Sequence, residues 1–400
     1  MSKKTNFYQR LGISEGATPD EIKRAYHRAA HRTHPDVNVK PGATELFLDI
    51  KEAYEVLIDP EGRTNYNRKN QQKKRAAHPV RINTQYSRSA IQYSHEQQVI
   101  YAIVDMDILP DPEHDQDPAT AINIALVLDT STSMKGARLN TVKATAIELV
   151  RQLRKQDSIS IITFNDRANV VIEAGTHANI NKAEMQIRSL HPDGGTEIFK
   201  GLDAGFEEVQ RYYHPSHSNH IILITDGHTY GDEAACKSLA DKAAKTGIGL
   251  SSLGIGGKWN DELLDDLATR TGGNCLYIRK PKNIRPFLSQ KLRNLSQAYA
   301  KNIRFSFQTG QEITLRYAFR LEPDIGMLHT KSPLQLGSIA RDQRHRILFE
   351  FIVDPIPTEI KQVLLIDGEF GFDIPSKSYS SFRIPITMTL STQAESLSEN

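Results

Sequence analysis

Continuous apolar runs in the middle of the chain give the first prediction about its fold. Four of them are INIALVLD, SISIITF, HIILITD and GLSSLGIG, and a shorter run lies at 274–278. Strands that are apolar on both faces and alternate with helices predict a parallel sheet covered on both sides. The pair SISIITFND and ANVVIEA predicts a hairpin at one edge, so we expect a doubly wound α/β domain over 119–302. The helical patterns lie at 138–154, 197–213, 233–246, 261–271 and 284–299.

The hydrophobic period changes to two on both sides of this domain. After it, alternating apolar and polar positions predict an antiparallel β-sandwich over 303–390. Before it, the segment VIYAIVDMDIL has the same character, and we assign 93–118 to the same sandwich. The α/β domain would then be an insertion between two parts of the sandwich. The polar residues 391–400 are predicted to be a disordered tail.

The first 68 residues predict a small all-α domain. A helix that Thr18 can cap begins at Pro19 and ends near Thr33, with one apolar and one basic face. A second helix, 44–58, also has an apolar face. Two such faces predict an antiparallel helical hairpin with a polar loop at its tip.

The loop of this hairpin contains the tripeptide His34-Pro35-Asp36. With IKRAY before it and IKEAYEVL after it, residues 6–67 resemble the J-domain of DnaJ co-chaperones. The resemblance implies that the domain docks on a DnaK-type chaperone and stimulates its ATP hydrolysis. A basic helix suits this role, because a cationic surface is drawn to an acidic partner. The residues implied in docking are His34, Pro35, Asp36, Lys23, Arg24, Tyr26 and Arg28.

Length, composition and charge bear on the number of domains and on the kinds of partner that the protein could bind. The 400 residues suffice for several domains, and no apolar run approaches the roughly 18 residues that a membrane span needs. Residues 1–75 hold 15 Lys and Arg against 10 Asp and Glu, whereas the whole chain has a formal net charge of +2. The polar segment 69–92 is predicted to be a basic linker, and its single KKR run without interleaved aromatic residues does not indicate nucleic-acid binding.

The two cysteines and the N-terminal residues indicate the cellular compartment of the protein. Cys236 and Cys275 lie far apart and outside any CxxC pattern, which favours a reducing compartment without disulfides. The first residues lack the apolar core of a secretory signal. Together with a DnaK-type partner, these features predict a cytoplasmic protein.

Oxygen-bearing side chains follow the ends of the predicted strands. Asp129, Ser131 and Ser133 follow the first apolar run, Thr196 precedes a helix, and Asp226 follows a later run. Ligands of open α/β sheets bind at the carboxyl ends of the strands, so we expect these side chains to meet there. Carboxylate and hydroxyl oxygens are hard ligands that suit Mg²⁺ or a similar divalent cation.

The order DxSxS…T…D resembles the metal-ion-dependent adhesion site of von Willebrand factor type A domains. The resemblance implies that Ser131, Ser133 and Thr196 reach the ion directly, while Asp129 and Asp226 act partly through water. It also implies that a partner protein supplies an Asp or Glu as the remaining ligand, which is a binding mechanism. Trp259 lies in the loop GIGGKWN at the same end of the sheet, and it is either a partner contact or a packed loop residue.

Enzyme classes with similar motifs fit poorly. The run VLDTS lacks the second copy that an aspartic protease needs, and Ser131 stands where a DxDxT phosphatase needs its second acid. The loop GIGGKWN does not read GxGxxG, so no dinucleotide is indicated. A metal-dependent hydrolase would need a nucleophile and a base, and no such pair is evident, so we expect no enzymatic activity.

These patterns together predict a multidomain co-chaperone. Its J-domain would stimulate a DnaK-type ATPase and recruit it to a protein client that is bound through Mg²⁺. The alternative is a metal-dependent scaffold or adhesion-like assembly protein, in which the J-domain is a regulatory appendage.

Overall fold

The computed structural model of the chain separates into two compact units, Met1–Pro79 and Val80–Asn400. In its described part, no helix combines the length and the apolar character needed to cross a membrane. The residues that the structure describes are 7–13, 17–33, 43–67, 80–109, 119–175, 180–227, 229, 231–256, 261–341, 343–375 and 380–393.

The N-terminal unit contains the predicted helical hairpin. A capping box starts its basic helix: the Thr18 N–H donates to Glu21 Oε2 at 2.7 Å, and the Glu21 N–H donates to Thr18 Oγ1 at 3.3 Å. The apolar faces meet in a core that includes Tyr8, Ile22 and Leu57. The helices are α1 (Phe7–Leu11), α2 (Pro19–Thr33), α3 (Ala43–Ile58) and α4 (60–67).

The α/β domain in the second unit has one six-stranded sheet. Its strand order is β6-β5-β4-β7-β8-β9, and all neighbours are parallel except β5 and β6. The predicted antiparallel edge hairpin is therefore confirmed. Every residue of the central strand β4 is buried, which explains its unbroken apolar run. The strands are β4 (Ile122–Asp129), β5 (Ser158–Phe164), β6 (Ala168–Ile172), β7 (Ser218–Thr225), β8 (Gly249–Ile255) and β9 (Cys275–Ile278).

Helices cover both faces of this sheet, as the alternation predicts. Three of the helices pack apolar side chains against one face of β4, and the other three pack against its opposite face. Helix α6 has no counterpart among the predicted helices. The first group is α5 (Ala137–Gln152), α6 (Ile180–Arg188) and α10 (Ile284–Ser296). The second group is α7 (Ile198–Arg211), α8 (Glu233–Thr246) and α9 (Asp261–Thr271).

Two five-stranded sheets form the sandwich, in the orders β1-β3-β14-β11-β12 and β13-β10-β15-β16-β2. One apolar core lies between them, and in it the rings of Phe305 and Phe349 are 5.9 Å apart. The sandwich strands before the α/β domain are β1 (Val80–Tyr86), β2 (Ala90–Gln92) and β3 (Gln98–Ile108). Those after it are β10 (Ala298–Thr309), β11 (Ile313–Glu322), β12 (Gly326–Leu328), β13 (Leu334–Ala340), β14 (Arg344–Val353), β15 (Gln362–Ile374) and β16 (Ser380–Gln393).

Strand β3 pairs antiparallel with β14, with Val104 opposite Ile347. The segment before the α/β domain therefore completes the later sandwich, as its alternating pattern predicts. The chain enters the α/β domain after β3 and returns to the sandwich at β10. The α/β domain is thus an insertion in the sandwich.

Several predicted boundaries are wrong. The supposed linker 69–92 contains β1 and β2, because β1 is an edge strand whose polar alternate residues hide its pairing with β3. The sandwich begins at Ala298, before the predicted residue 303, and β16 extends to Gln393 in the supposed tail. The sandwich is also not purely antiparallel, since β2 pairs with β16 in parallel.

The α/β domain and the sandwich touch through backbone at two glycines. Gly337 of β13 has a φ of +80°, and a Cβ placed there would overlap the carbonyl oxygen of Gly272. Arg320 of β11 is 4% exposed, and its Nη2 donates to the carbonyl oxygen of Gly273 at 2.8 Å. Close backbone approach and a left-handed conformation both require glycine at position 337.

We expect Gly337→Ala to lower the free energy of unfolding of the second unit by about 2–4 kcal/mol, from left-handed strain and steric overlap. Urea denaturation followed by circular dichroism measures this change. Gly326→Ala is the control, because its added Cβ would meet only Arg320 Nη2 at 3.8 Å. Equal stability of the two variants would contradict the proposed contact.

Candidate metal centre

Three loops meet at the carboxyl end of the α/β sheet. The first follows β4, the second precedes α7, and the third follows β7. Backbone hydrogen bonds join the first two, because the Thr132 N–H donates to Gly194 O at 3.2 Å and the Asp193 N–H donates to Thr130 O at 2.7 Å. Backbone hydrogen bonds therefore fix the first two loops relative to each other.

Asp129, at the end of β4, is fully buried and held by two hydrogen bonds. Its Oδ1 accepts the Ser131 N–H at 2.7 Å, and its Oδ2 accepts the Thr225 hydroxyl at 2.6 Å. Burial raises the pKa of Asp129, and these hydrogen bonds partly oppose that effect. The carboxylate thus has a fixed orientation at the centre of the site.

Ser131, Ser133 and Asp226 form a continuous chain of oxygens. The hydroxyl oxygens of Ser131 and Ser133 are 2.9 Å apart, and Ser133 donates to Asp226 Oδ1 at 2.6 Å. Ser131 and Asp226 are buried, whereas Ser133 is exposed. The set has one face open to solvent, through which a ligand could approach.

Thr196 lies beside the third loop. It is 7% exposed, and a Cβ added at Gly227 would be 3.3 Å from its Oγ1. Helix α7, which follows Thr196, packs closely on the sheet. A Cβ added at Gly205 of this helix would lie 2.6 Å from Val127 Cγ2 of β4. All five side chains predicted from the sequence therefore lie at one edge of the sheet, Asp129 at the end of β4 and the other four on the three loops.

Arg138, in the first turn of α5, is a component that sequence reasoning missed. Its Nη1 donates to Asp226 Oδ2 and, at 3.2 Å, to the carbonyl oxygen of Ser133. It neutralises part of the charge of the Asp226 carboxylate. No spacing rule marks this arginine, since its partner is 88 positions away along the chain.

The donor set fits a hard divalent cation. Two carboxylates and three hydroxyls offer oxygen only, which suits Mg²⁺ and disfavours ions that prefer sulfur or imidazole. Across the described ranges, this site included, no three His, Cys, Asp or Glu residues come together in a way that could hold a metal ion, so a cation here would depend on the hydroxyls of Ser131, Ser133 and Thr196.

The other predicted site residues divide into two groups. Lys23, Arg24 and Arg28 are exposed on α2, whereas Tyr26 is half-buried and stacks on Tyr54 with ring centroids 4.1 Å apart. The second group, His34, Pro35, Asp36 and Trp259, lies outside the described residues.

Comparison with protein families identifies two domains of the chain. Residues 123–290 match the von Willebrand factor type A domain, and residues 6–67 match the DnaJ domain. The chain therefore carries a DnaJ domain and a von Willebrand factor type A domain, which confirms the two domain assignments made from the sequence.

Individual proteins resemble different parts of the chain. The chaperone protein DnaJ of Thermosynechococcus vestitus is 56% identical over 63 residues, which are 16% of this chain and 17% of that protein. The uncharacterized protein sll0103 of Synechocystis sp. is 28% identical over 291 residues, 70% of this chain and 69% of its own. The first similarity thus concerns the DnaJ domain alone.

A solved structure supports the fold of the larger unit. The von Willebrand factor type A protein from Catenulispora acidiphila matches with a TM-score of 0.61 and 14% sequence identity. The match covers 79% of this chain and 74% of that chain. At this identity the similarity shows the fold alone.

We expect Arg138→Gln to tighten Mg²⁺ binding by about threefold or more, because it removes a positive charge that competes for Asp226. Isothermal titration of the metal-free protein with MgCl₂ measures the affinity. Arg285→Gln is the control, since Arg285 is exposed and pairs with Glu148 at 2.6 Å. Weaker Mg²⁺ binding in Arg138→Gln alone would mean that the arginine positions Asp226 instead.

Proposed function

We propose that this chain is a J-domain co-chaperone that brings a DnaK-type chaperone to a protein held at its type A domain. The J-domain would stimulate ATP hydrolysis by that chaperone. The client would bind through Mg²⁺ by means of an Asp or Glu of its own. One observation carries the proposal: a DnaJ domain and a converging set of five oxygen-bearing side chains occur in the same chain.

The arrangement of α2 supports the DnaK-type partner. Ile22 and Ala25 are buried in the hairpin core, while Lys23, Arg24 and Arg28 are exposed. Within the described ranges, no carboxylate forms an ion pair with any of these three basic side chains. Their charge is therefore available to attract an acidic surface and speed association.

The oxygen set supports metal-dependent binding of a client. Ser131, Ser133 and Thr196 would contact Mg²⁺, and Asp129 and Asp226 would hold it partly through water. The three hydroxyls are neutral and would leave part of the Mg²⁺ charge unbalanced. This favours an acidic side chain from a partner as a further ligand. The exposed Ser133 lies on the side from which such a side chain could approach.

Catalysis in this proposal belongs to the partner. The five oxygen-bearing side chains, including Ser133 and the Asp226 carboxylate to which it donates, would serve as metal ligands, so we propose no enzymatic activity for the chain itself. We place its action in the cytoplasm, where DnaK-type chaperones hydrolyse ATP, and we assign it no nucleic-acid partner.

Variants of the two motifs should separate the two activities. His34→Gln is expected to abolish stimulation of a purified DnaK-type ATPase and leave the Mg²⁺-dependent rise in melting temperature intact. Ser131→Ala is expected to do the reverse, because it removes one hydroxyl ligand. ATPase turnover and thermal melting with Mg²⁺ or EDTA are the measurements.

The same variants distinguish the co-chaperone from a scaffold. In a pull-down, the proteins captured in Mg²⁺ but not in EDTA would include the client. Wild type should capture these proteins, and Ser131→Ala should not. Loss of both activities in either variant would contradict the modular proposal. A set of partners that resists EDTA and excludes DnaK-type chaperones would favour the scaffold or adhesion-like assembly protein.

We expect Lys23→Glu to slow association with a DnaK-type chaperone by about five- to tenfold at low ionic strength, because it reverses a charge on the basic face. Stopped-flow mixing measures the rate constant, and the effect should shrink in high salt. Lys51→Glu is the matched control on α3, where Lys51 is exposed and 3.8 Å from Glu55. Equal slowing by both variants would show that net charge alone is responsible.

A further inference from the structure

A solvent-accessible cavity of about 240 Å³ lies at the amino end of the α/β sheet, opposite the candidate metal centre. The first residues of β7 and β8 form one side, and α10 forms another. Residues of β11 and β13 close it from the sandwich. The cavity is therefore built at the junction where the inserted domain meets the sandwich.

The lining of this cavity is strongly cationic. Three basic side chains, Lys291, Lys301 and Arg320, face a single lining carboxylate, that of Asp324. Arg320 pairs with Asp324 at 2.6 Å. The single carboxylate of the lining is thus already paired with Arg320.

Lys301 is anchored by neutral groups. It is 4% exposed, and its Nζ donates to the carbonyl oxygens of Pro215 and His217. Burial lowers the pKa of Lys301 to about 8, and Asp373 behind it opposes that shift. Lys301 therefore remains mostly protonated at pH 7.

Lys291 has the least compensated charge. Its Nζ donates to Asn274 Oδ1 at 2.7 Å, and the described residues place no carboxylate within ion-pair distance of it. Burial lowers the pKa of Lys291 to about 8, with Asp324 opposing the shift and Arg320 adding to it. A mostly charged ammonium group with only a neutral amide partner lines the cavity, and its desolvation is costly.

Two histidines of the lining do not add to this charge. His220 and His345 are buried, and burial lowers the pKa of both, that of His345 to about 4. They are neutral at pH 7 and bond to Ser251 Oγ at 2.9 Å and to Ser338 O at 3.0 Å. The positive charge on the lining therefore comes from the lysines and the arginine, and not from the histidines.

We infer that this cavity binds a small anion that carries carboxylate or phosphate groups, with Lys291 as its main contact. Its volume is smaller than that of pockets for drug-sized ligands and larger than the roughly 30 Å³ that a water molecule occupies in the liquid. An anion there would balance Lys291 and contact walls from both the inserted domain and the sandwich. It should therefore stabilise their junction.

Thermal melting of the full chain tests this inference. Sodium phosphate and sodium malonate are each compared with sodium chloride at pH 7 and equal ionic strength, with EDTA present to remove divalent cations from the metal centre. We expect at least one of the two anions to raise the melting temperature by about 3 °C or more, since a ligand that binds only the folded state stabilises it. The anion that acts identifies the chemical group, and no rise with either would overturn the inference.

Three variants assign any rise to the cavity. Lys291→Met removes the charge at similar size, and titration calorimetry should show at least tenfold weaker anion binding. Asn294→Asp adds a negative charge to the lining and should also weaken anion binding at least tenfold. Its carboxylate can still accept the hydrogen bond that the Gln290 side-chain amide donates to Asn294 Oδ1 at 2.7 Å. This variant tests the inference even if Lys291→Met fails to fold. Lys282→Met is the matched control, since Lys282 is exposed outside the cavity and its loss should change nothing. Equal anion effects in all three variants would show surface binding and overturn the inference.

Discussion

The buried carboxylate of Asp129 is the constraint on which the carboxyl edge of the α/β sheet depends. A carboxylate removed from water costs several kcal/mol unless hydrogen bonds replace its hydration. One replacement comes from the Ser131 N–H in the next turn, and the other comes from Thr225 on β7. Because Thr225 immediately precedes Asp226, the same pairing that satisfies Asp129 also brings Asp226 within 2.6 Å of Ser133.

The sandwich imposes a second constraint. Strands that precede the inserted domain in the chain must pair with strands that follow it, so that the core of the sandwich is closed. This pairing brings the two ends of the α/β domain together, and the Thr120 hydroxyl donates to Ala298 O at 3.1 Å where the chain enters and leaves it. The junction is then held by backbone contact at Gly337 and by the buried guanidinium of Arg320. The inserted domain is therefore fixed to its support at the edge remote from the candidate metal centre.

The two edges of the α/β sheet consequently differ in chemistry. The carboxyl edge collects oxygen-bearing side chains around Asp129 and Asp226, whereas the amino edge collects cationic side chains around Lys291. The parallel strands place their carboxyl ends, and with them Asp129 and Asp226, on one side, whereas the cationic side chains reach the other side from α10 and from the sandwich strands β10 and β11. Ligands of opposite charge could therefore bind at the two edges, at sites that share no residue.

The sequence by itself determined the elements whose signal is local. The bounds of β4 and β5 agree with the predicted 122–129 and 158–164, because full burial leaves unbroken apolar runs. The five oxygen-bearing side chains were recognisable because they occur in the order DxSxS…T…D, next to the ends of strands or the start of a helix. Only the tertiary structure decided the role of Arg138, the edge strand β1 and the cationic cavity. Each of these depends on partners far away along the chain, and no local pattern of polar and apolar residues encodes such a partner.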